Sequence, residues 1–179
     1  MASQCDFDSA VDSSARAPGA ESCFSSLAMP AYSIDRVGPD DLDDLLPLMR
    51  GYCDFYEVYP SGDDLRALSR ALIDDPEREG VQLIARDGDG EAVGFATVYW
   101  MWSTSDAARL GVMNDLFVTD RARGRGVADS LIEACRAECR THGAKRLSWQ
   151  TAPDNHRAQA VYDRMGAHRE QWVDYWLDA

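Results

Sequence analysis

Two strand-like runs joined by a tight turn constrain this chain more than anything else in it. VQLIARD (81–87) and EAVGFATVYWMW (91–102) are dense in β-branched and aromatic residues, and the turn DGDG (87–90) offers the Asp and Gly chemistry that reverses a chain in a few residues. RLGVMNDLFV (109–118) is a third run of the same kind. An antiparallel block of three strands follows, too apolar to stand without cover on its faces.

The cover comes from helical patterns on either side. DDLDDLLPLMRGYCDFY carries leucines, Met49 and Tyr52 at helical spacing behind an acidic first turn. SGDDLRALSRALIDD predicts a second helix with Ser61 as its cap. VADSLIEACRAECRTHG predicts a third, stopped by Gly143, and NHRAQAVYDRM a fourth, closed by Gly166. AYSIDRV, KRLSWQT and QWVDYWL complete the order as strands. The expected class is α/β in the mixed α+β sense, with a central, mostly antiparallel sheet and helices on both faces. Residues 1–30, rich in Ser, Ala, Asp and Gly without a hydrophobic period, are expected to form a disordered tail before a single domain at 31–179. Met29 stands just before the first strand, and a translation start there is a hypothesis that intact mass would test.

Charge narrows the partners. A net charge of −13 repels phosphate backbones, so nucleic acid is not expected as the main partner, whereas cationic small molecules are attracted. No apolar run reaches the roughly 18–20 residues that span a bilayer, and the first residues lack the basic start and apolar core of a secretory signal. Five cysteines with no CxxC suit reduced thiols in a cytoplasm. Cys135 and Cys139 are four apart, but nothing at ligand-like spacing completes a metal site, so no metal is expected. His142, His156 and His168 show no partner pattern and are assigned no chemistry.

Against that acidity, RARGRGVA (121–128) places three arginines in eight residues. It joins the strand ending at Val118 to the helix beginning near Val127. A loop there aims free backbone N–H groups and the positive end of a helix at one spot, which suits an anion. Gly124 and Gly126 let the backbone approach a ligand closely, and the arginines add charge for phosphate oxygens. The loop is not a Walker motif, since Val-Ala follows Gly126 where Lys-Ser/Thr is needed, and Asp129 stands where a dinucleotide fingerprint needs Gly or Ala. Further on, TAPDNHRAQAVYDRMGA sets Asn155 and Tyr162 two helical turns apart on one face, although Ala158, Val161, Tyr162 and Met165 also make an ordinary core stripe.

Taken together, the loop, Asn155, Tyr162 and Gly166 over residues 31–179 resemble the GNAT family of N-acetyltransferases. The family motif, Gln/Arg-x-x-Gly-x-Gly/Ala, can be set at Arg121–Gly126 or Arg123–Ala128; the family's spacing from the strand end at Val118 favours the second. The resemblance implies a GNAT-like fold and acetyl-CoA as co-substrate. It implies that Arg123, Gly124, Arg125, Gly126, Val127 and Ala128 hold the pyrophosphate, that Asn155 contacts the pantetheine arm, and that Phe117 and Val118 pair with the pantetheine amides. Leu116 is the candidate N–H for the acetyl carbonyl. Tyr162 is the candidate acid for the departing thiolate, its ordinary pKa near ~10 matching a thiol's proton.

The chain looks most like the polyamine acetyltransferase branch, where an acid often stands at the position of Asn114. With Asn there, Asp115 or Glu57 acting through water is the candidate base, although strand alternation predicts that Asp115 points to the face opposite Asn114. Asp54, Tyr56, Glu57 and Tyr59 in DFYEVYP, with Trp172, Asp174 and Trp176 on one face of the terminal strand, suit a cation. The expected reaction is direct transfer to a primary amine, a small cationic one, in a ternary complex. Protein-lysine or antibiotic acetyltransferases and a non-catalytic CoA-binding sensor are the alternatives. Homodimers are common in such families, and an exposed C-terminal strand could pair across one.

Overall fold

A computed structural model describes residues 32–178; the expected tail at 1–30 and the start at Met29 lie outside the described residues. Five strands form one sheet in the order β1 (Tyr32–Arg36), β2 (Gly80–Asp87), β3 (Ala92–Ser103), β4 (Ala108–Val118) and β5 (Leu147–Ser148). The first four pair antiparallel, and β5 adds parallel to β4. The longest pairing is the β3–β4 hairpin, which runs from Gly94↔Val118 to Ser103↔Ala108.

Helices cover both faces. Helices α1 (Leu42–Phe55) and α2 (Gly62–Asp74) lie on one side, where Leu45, Leu48, Met49 and Cys53 bury against Ile84 and Phe95. On the other side α3 (Val127–Thr141) sets Val127, Leu131, Ile132 and Cys135 against Leu83, Ala96 and Val98. Ser61 caps α2 as expected, accepting the Asp64 N–H at 3.1 Å. Cys139 explains one glycine. A Cβ on Gly111 would sit 2.4 Å from Cys139 Sγ, so only glycine lets α3 press this closely on β4. Cys53, Cys135 and Cys139 are buried free thiols, and the two in α3 are pushed up by burial, Cys135 to about 12 and Cys139 to about 11. No helix among the described residues is long and apolar enough to cross a membrane.

The end of the sheet departs from expectation. KRLSWQT pairs only at Leu147–Ser148, and α4 (His156–Arg164) has no fully buried residue. QWVDYWL makes no strand pairing among the described residues, so the expected terminal strand does not form. Strand geometry needs a neighbour to supply its hydrogen bonds, and the short β5 gives these residues none.

Candidate active site

The site begins where the sheet parts. β4 meets β5 only at Gly111↔Leu147 and Val112↔Ser148, so among the described residues no strand lies beside 113–118 on that edge. Leu116, Phe117 and Val118 all lie on this open stretch. Just beyond, Gly124 (φ 74°) and Gly126 (φ 85°) turn the chain through left-handed conformations, and a Cβ built on either meets nothing within 4 Å. Helix α3 then starts at Val127. The N–H groups of residues 124–129 donate to no acceptor among the described residues, and the Thr119 hydroxyl is buried with no partner among them. Free amides, an orphaned hydroxyl and open space at one helix start fit a phosphate-bearing ligand.

The arginines divide their work. Arg121 reaches Asp87 at 3.6 Å. The Arg123 Nε donates to the Val118 carbonyl at 2.9 Å, and its guanidinium pairs with Asp120. Only Arg125 of the three has no ion-pair partner among the described residues. The cradle is therefore chiefly backbone, and the Arg123 side chain braces the loop rather than reaching outward. A groove of about 760 Å³ runs between α1 and this loop, with Gly51, Asp54 and Phe55 on one wall and Phe117, Thr119 and Arg123 on the other.

Helix α4 brings Tyr162 to the opening from the α3 side. Its ring packs edge-on to Trp149 at 5.2 Å, and burial pushes the phenol above its ordinary value, with Tyr56 adding to the shift. Arg164 holds the helix over the loop through a two-point ion pair with Asp129 in the first turn of α3, at 2.7 and 2.8 Å. Asn155 caps α4, its Oδ1 accepting the Ala158 N–H at 3.1 Å, which leaves its amide NH₂ free to donate to a ligand.

The alternation rule fails at Asp115. Thr97 pairs with Asp115 but Val98 pairs with Met113, so Asn114 is the extra residue of a β-bulge. Met113 packs on the α3 side, while Asp115 turns to the α1 side and buries beside Tyr52, Tyr99 and Thr97. Asn114 stays exposed and donates from Nδ2 to Asp115 Oδ1 at 3.0 Å. Burial raises the Asp115 carboxyl above the ordinary aspartate range, while donors from Thr97, Asn114 and Tyr52 pull it partly back. Tyr99 is pushed up to about 12 by burial and by the Asp115 charge, and Tyr52 rises further for the same reasons.

Helical spacing alone placed Tyr52 in the sequence and gave it no part in the site. Its spacing of four from Tyr56 was the available signal, since the two rings meet at 5.0 Å on one face of α1. Asp54, Tyr56 and Glu57 are exposed at the end of α1, Glu57 with φ 56°. Asp174 is not on a strand face with Trp172 and Trp176; its partner is Gln150 Nε2 at 2.7 Å. Among the described residues no group of three His, Cys, Asp or Glu is placed to hold a metal ion.

Residues 46–167 match the acetyltransferase (GNAT) family. The chain belongs to that family. An uncharacterized N-acetyltransferase of Bacillus subtilis, YhfO, is 30% identical over 147 residues, 82% of this chain and 97% of that one. Aminoglycoside N(6')-acetyltransferase type 1 of Stenotrophomonas maltophilia is 28% identical over 122 residues, 66% of this chain and 78% of the relative. The solved structure of aminoglycoside acetyltransferase AAC(6')-Iy, in complex with a CoA-S-monomethyl-acetylneamine bisubstrate analog, superposes with a TM-score of 0.74. It is 22% identical and covers 83% of this chain and 98% of its own. The protein is thus a GNAT N-acetyltransferase dependent on acetyl-CoA, and the sensor alternative falls away.

Proposed function

We propose that this GNAT enzyme acetylates a primary amine of a small cationic acceptor, by direct attack while donor and acceptor are both bound. The observation that supports this most is the chain of Tyr56 against Tyr52, rings 5.0 Å apart, and of Tyr52 donating to the buried Asp115, with Tyr56 also raising the Tyr162 phenol, near a loop of unspent amides.

Acetyl-CoA, when bound, supplies the acetyl group as a thioester. Residues 124–128 and the start of α3 bind its pyrophosphate through backbone N–H groups. The free stretch of β4 at Leu116, Phe117 and Val118 takes the pantetheine amides, and the Asn155 NH₂ donates to the same arm. The Leu116 N–H stabilises negative charge as it develops on the carbonyl oxygen. Tyr162, its phenol raised by burial, keeps its proton at neutral pH and gives it from Oη to the departing sulfur. Asp115 accepts the amine's proton through water, with Asn114 and Tyr52 holding the carboxylate in place. Burial keeps the Cys53, Cys135 and Cys139 thiols protonated, which supports direct transfer over an acyl-cysteine route.

The acceptor reading rests on the acidic groove wall of Asp43, Asp44 and Asp54 and on the exposed Tyr56 and Tyr59. The relative from Stenotrophomonas maltophilia favours an aminoglycoside among such polycations. A cytoplasmic setting is supported by the three free thiols.

Thiol release from acetyl-CoA against spermidine, short diamines, amino acids, aminoglycosides and a basic peptide tests this reading. Turnover with one class of polycationic small amine is expected. Turnover with the peptide alone would overturn the acceptor assignment, and failure to bind acetyl-CoA would overturn the site.

A further inference from the structure

A row of polar side chains runs through the buried sheet face under α1 and α2. Gln82 on β2 is paired with Thr97 on β3, and Thr97 with Asp115 on β4, so the three stand side by side across three strands. Gln82 is 3% exposed, Thr97 0% and Asp115 8%. Ile84 and Phe95, two residues away along β2 and β3, belong to the apolar cluster on the same face. The row forms because Asn114 bulges out of the ladder between β3 and β4.

Its hydrogen bonds run in one direction. Gln82 Nε2 donates to Thr97 Oγ1 at 3.2 Å, which leaves the single hydroxyl proton of Thr97 to donate to the Asp115 carboxylate. At the other end of the same amide, Gln82 Oε1 is buried with no partner among the described residues. Nε2 also meets Met49 Sδ at 3.8 Å, a weak acceptor, and Ser69, which meets the same sulfur, donates to the Leu65 carbonyl at 3.1 Å. A buried acceptor left without a donor is costly and calls for a reason. An amide bonded firmly at both ends is locked in one orientation. This one meets a single hydroxyl, so either of its ends can face Thr97.

A base has to be held in two charge states. Ionised, a carboxylate needs donors; carrying a proton, it becomes a donor and needs an acceptor. On the reading of Asp115 as the base, we propose that Gln82 and Thr97 are its positioning residues, a polar rung that donates to the carboxylate when it is ionised and accepts from it when it is protonated. In the first state Gln82 Nε2–H donates to Thr97 Oγ1 and Thr97 Oγ1–H to Asp115. In the second, the proton taken from the amine nitrogen stays on Asp115, which donates to Thr97 Oγ1. The Thr97 hydroxyl then turns to Gln82, whose amide makes a half-turn to present Oε1. No covalent bond of Thr97 or Gln82 changes, and the proton leaves Asp115 to water once the products depart. Tyr52 and Cys53 of α1 and Tyr99 of β3 also act on Asp115, with Tyr56 behind Tyr52 and with Arg50 and Asp54 acting on Cys53. Burial holds Tyr52, Cys53 and Tyr99 in their protonated forms, so each stays neutral while Asp115 changes its charge.

Carbon-13 NMR of the aspartate carboxyls in the full chain tests the rung, with Asp115 assigned by the signal lost in Asp115→Asn. Thr97→Val removes a donor to the ionised form, so its Asp115 should titrate at higher pH. Where the natural Asp115 is half ionised, the variant should be about one-tenth ionised, the tenfold change of one lost bond to a charged group. Thr97→Ser keeps the hydroxyl and should titrate as the natural chain does. Thr97→Val also strands the Gln82 amide and should lower the melting temperature by about 5 °C. Adding Gln82→Met should restore most of that loss and leave the Asp115 titration displaced. The Gln82 side-chain amide signals of the natural chain should move with the Asp115 midpoint. An Asp115 midpoint unmoved by Thr97→Val, one that returns together with the melting temperature, or Gln82 signals flat with pH overturns the proposal. Thiol release with the amine panel separates this from the base reading. Unchanged turnover in Asp115→Asn would overturn that reading and the rung's role with it, whereas a slow Asp115→Asn beside an unmoved Thr97→Val midpoint would overturn the rung alone.

Discussion

The two ends of the sheet are built to different standards. Around β2 and β3, Leu83, Ile84, Phe95, Ala96 and Val98 are all but sealed, with a helix layer on each face. Around β5, the strand is two residues long, its helix has no fully buried side chain, and the following segment is exposed. The difference matches where the proposed mechanism places the chemistry. A ligand that lies along β4 needs its backbone groups unpaired, so the strand that would pair with them has to diverge, and packing there is surrendered. In the proposed mechanism, the closed end keeps the loop, Asp115 and Phe117 fixed while the open end receives substrates.

The largest expected effect tests the closed end. Phe95→Ala should cost about 3–5 kcal/mol in denaturant unfolding, whereas Val161→Ala on α4 should cost no more than about 1 kcal/mol. Equal costs would mean that the two ends are packed alike. Next, Tyr162→Phe should lower kcat about 100-fold while leaving acetyl-CoA affinity and melting temperature nearly unchanged; an unaltered rate would make the phenol a packing group.

Asp115 gives a smaller and pH-dependent effect at the boundary between the two ends. Burial makes the folded protein hold this proton more tightly than the unfolded chain does. The stability tied to the protonated form is complete below the ordinary aspartate value of 3.8 and is lost as pH rises through the raised folded value. Asp115→Asn has no such titration, so it should melt above the natural chain at neutral pH, with the gap closing in acid. A pH-independent gap would place the carboxylate in water. Activity of this variant sharpens the reading further: unchanged turnover alongside a slow Tyr162→Phe would remove Asp115 from the proton path.

The closed end was legible in the sequence because its signals are local. The DGDG turn, the Ser61 cap and the leucine spacing of α1 each act within a few residues, and α1 to α3 and β1 to β4 appear where those signals put them. The glycine loop was legible for the same reason. KRLSWQT and QWVDYWL carry equally good strand composition, but a strand exists only by pairing, and the partner is not written in the strand itself. At the site, the reach of Arg123 back to Val118 and the cap made by Asn155 depend on where side chains have room to go. The turn of Asp115 depended on a register shift that composition does not announce.

That register shift governs which substitutions are informative. A strand addresses its two sides by odd and even count alone, and Asn114 adds one to the count, carrying the carboxylate of Asp115 across the sheet. Deleting Asn114 would remove the bulge and leave Asp115 on the α1 side, whereas a regular ladder that took Asn114 in as a paired residue would swing Asp115 toward the α3 core. A related chain of the same length whose strand ran without the bulge would present that acid to the wrong side of the sheet. For this strand, register is as much a determinant of where the acid sits as residue identity.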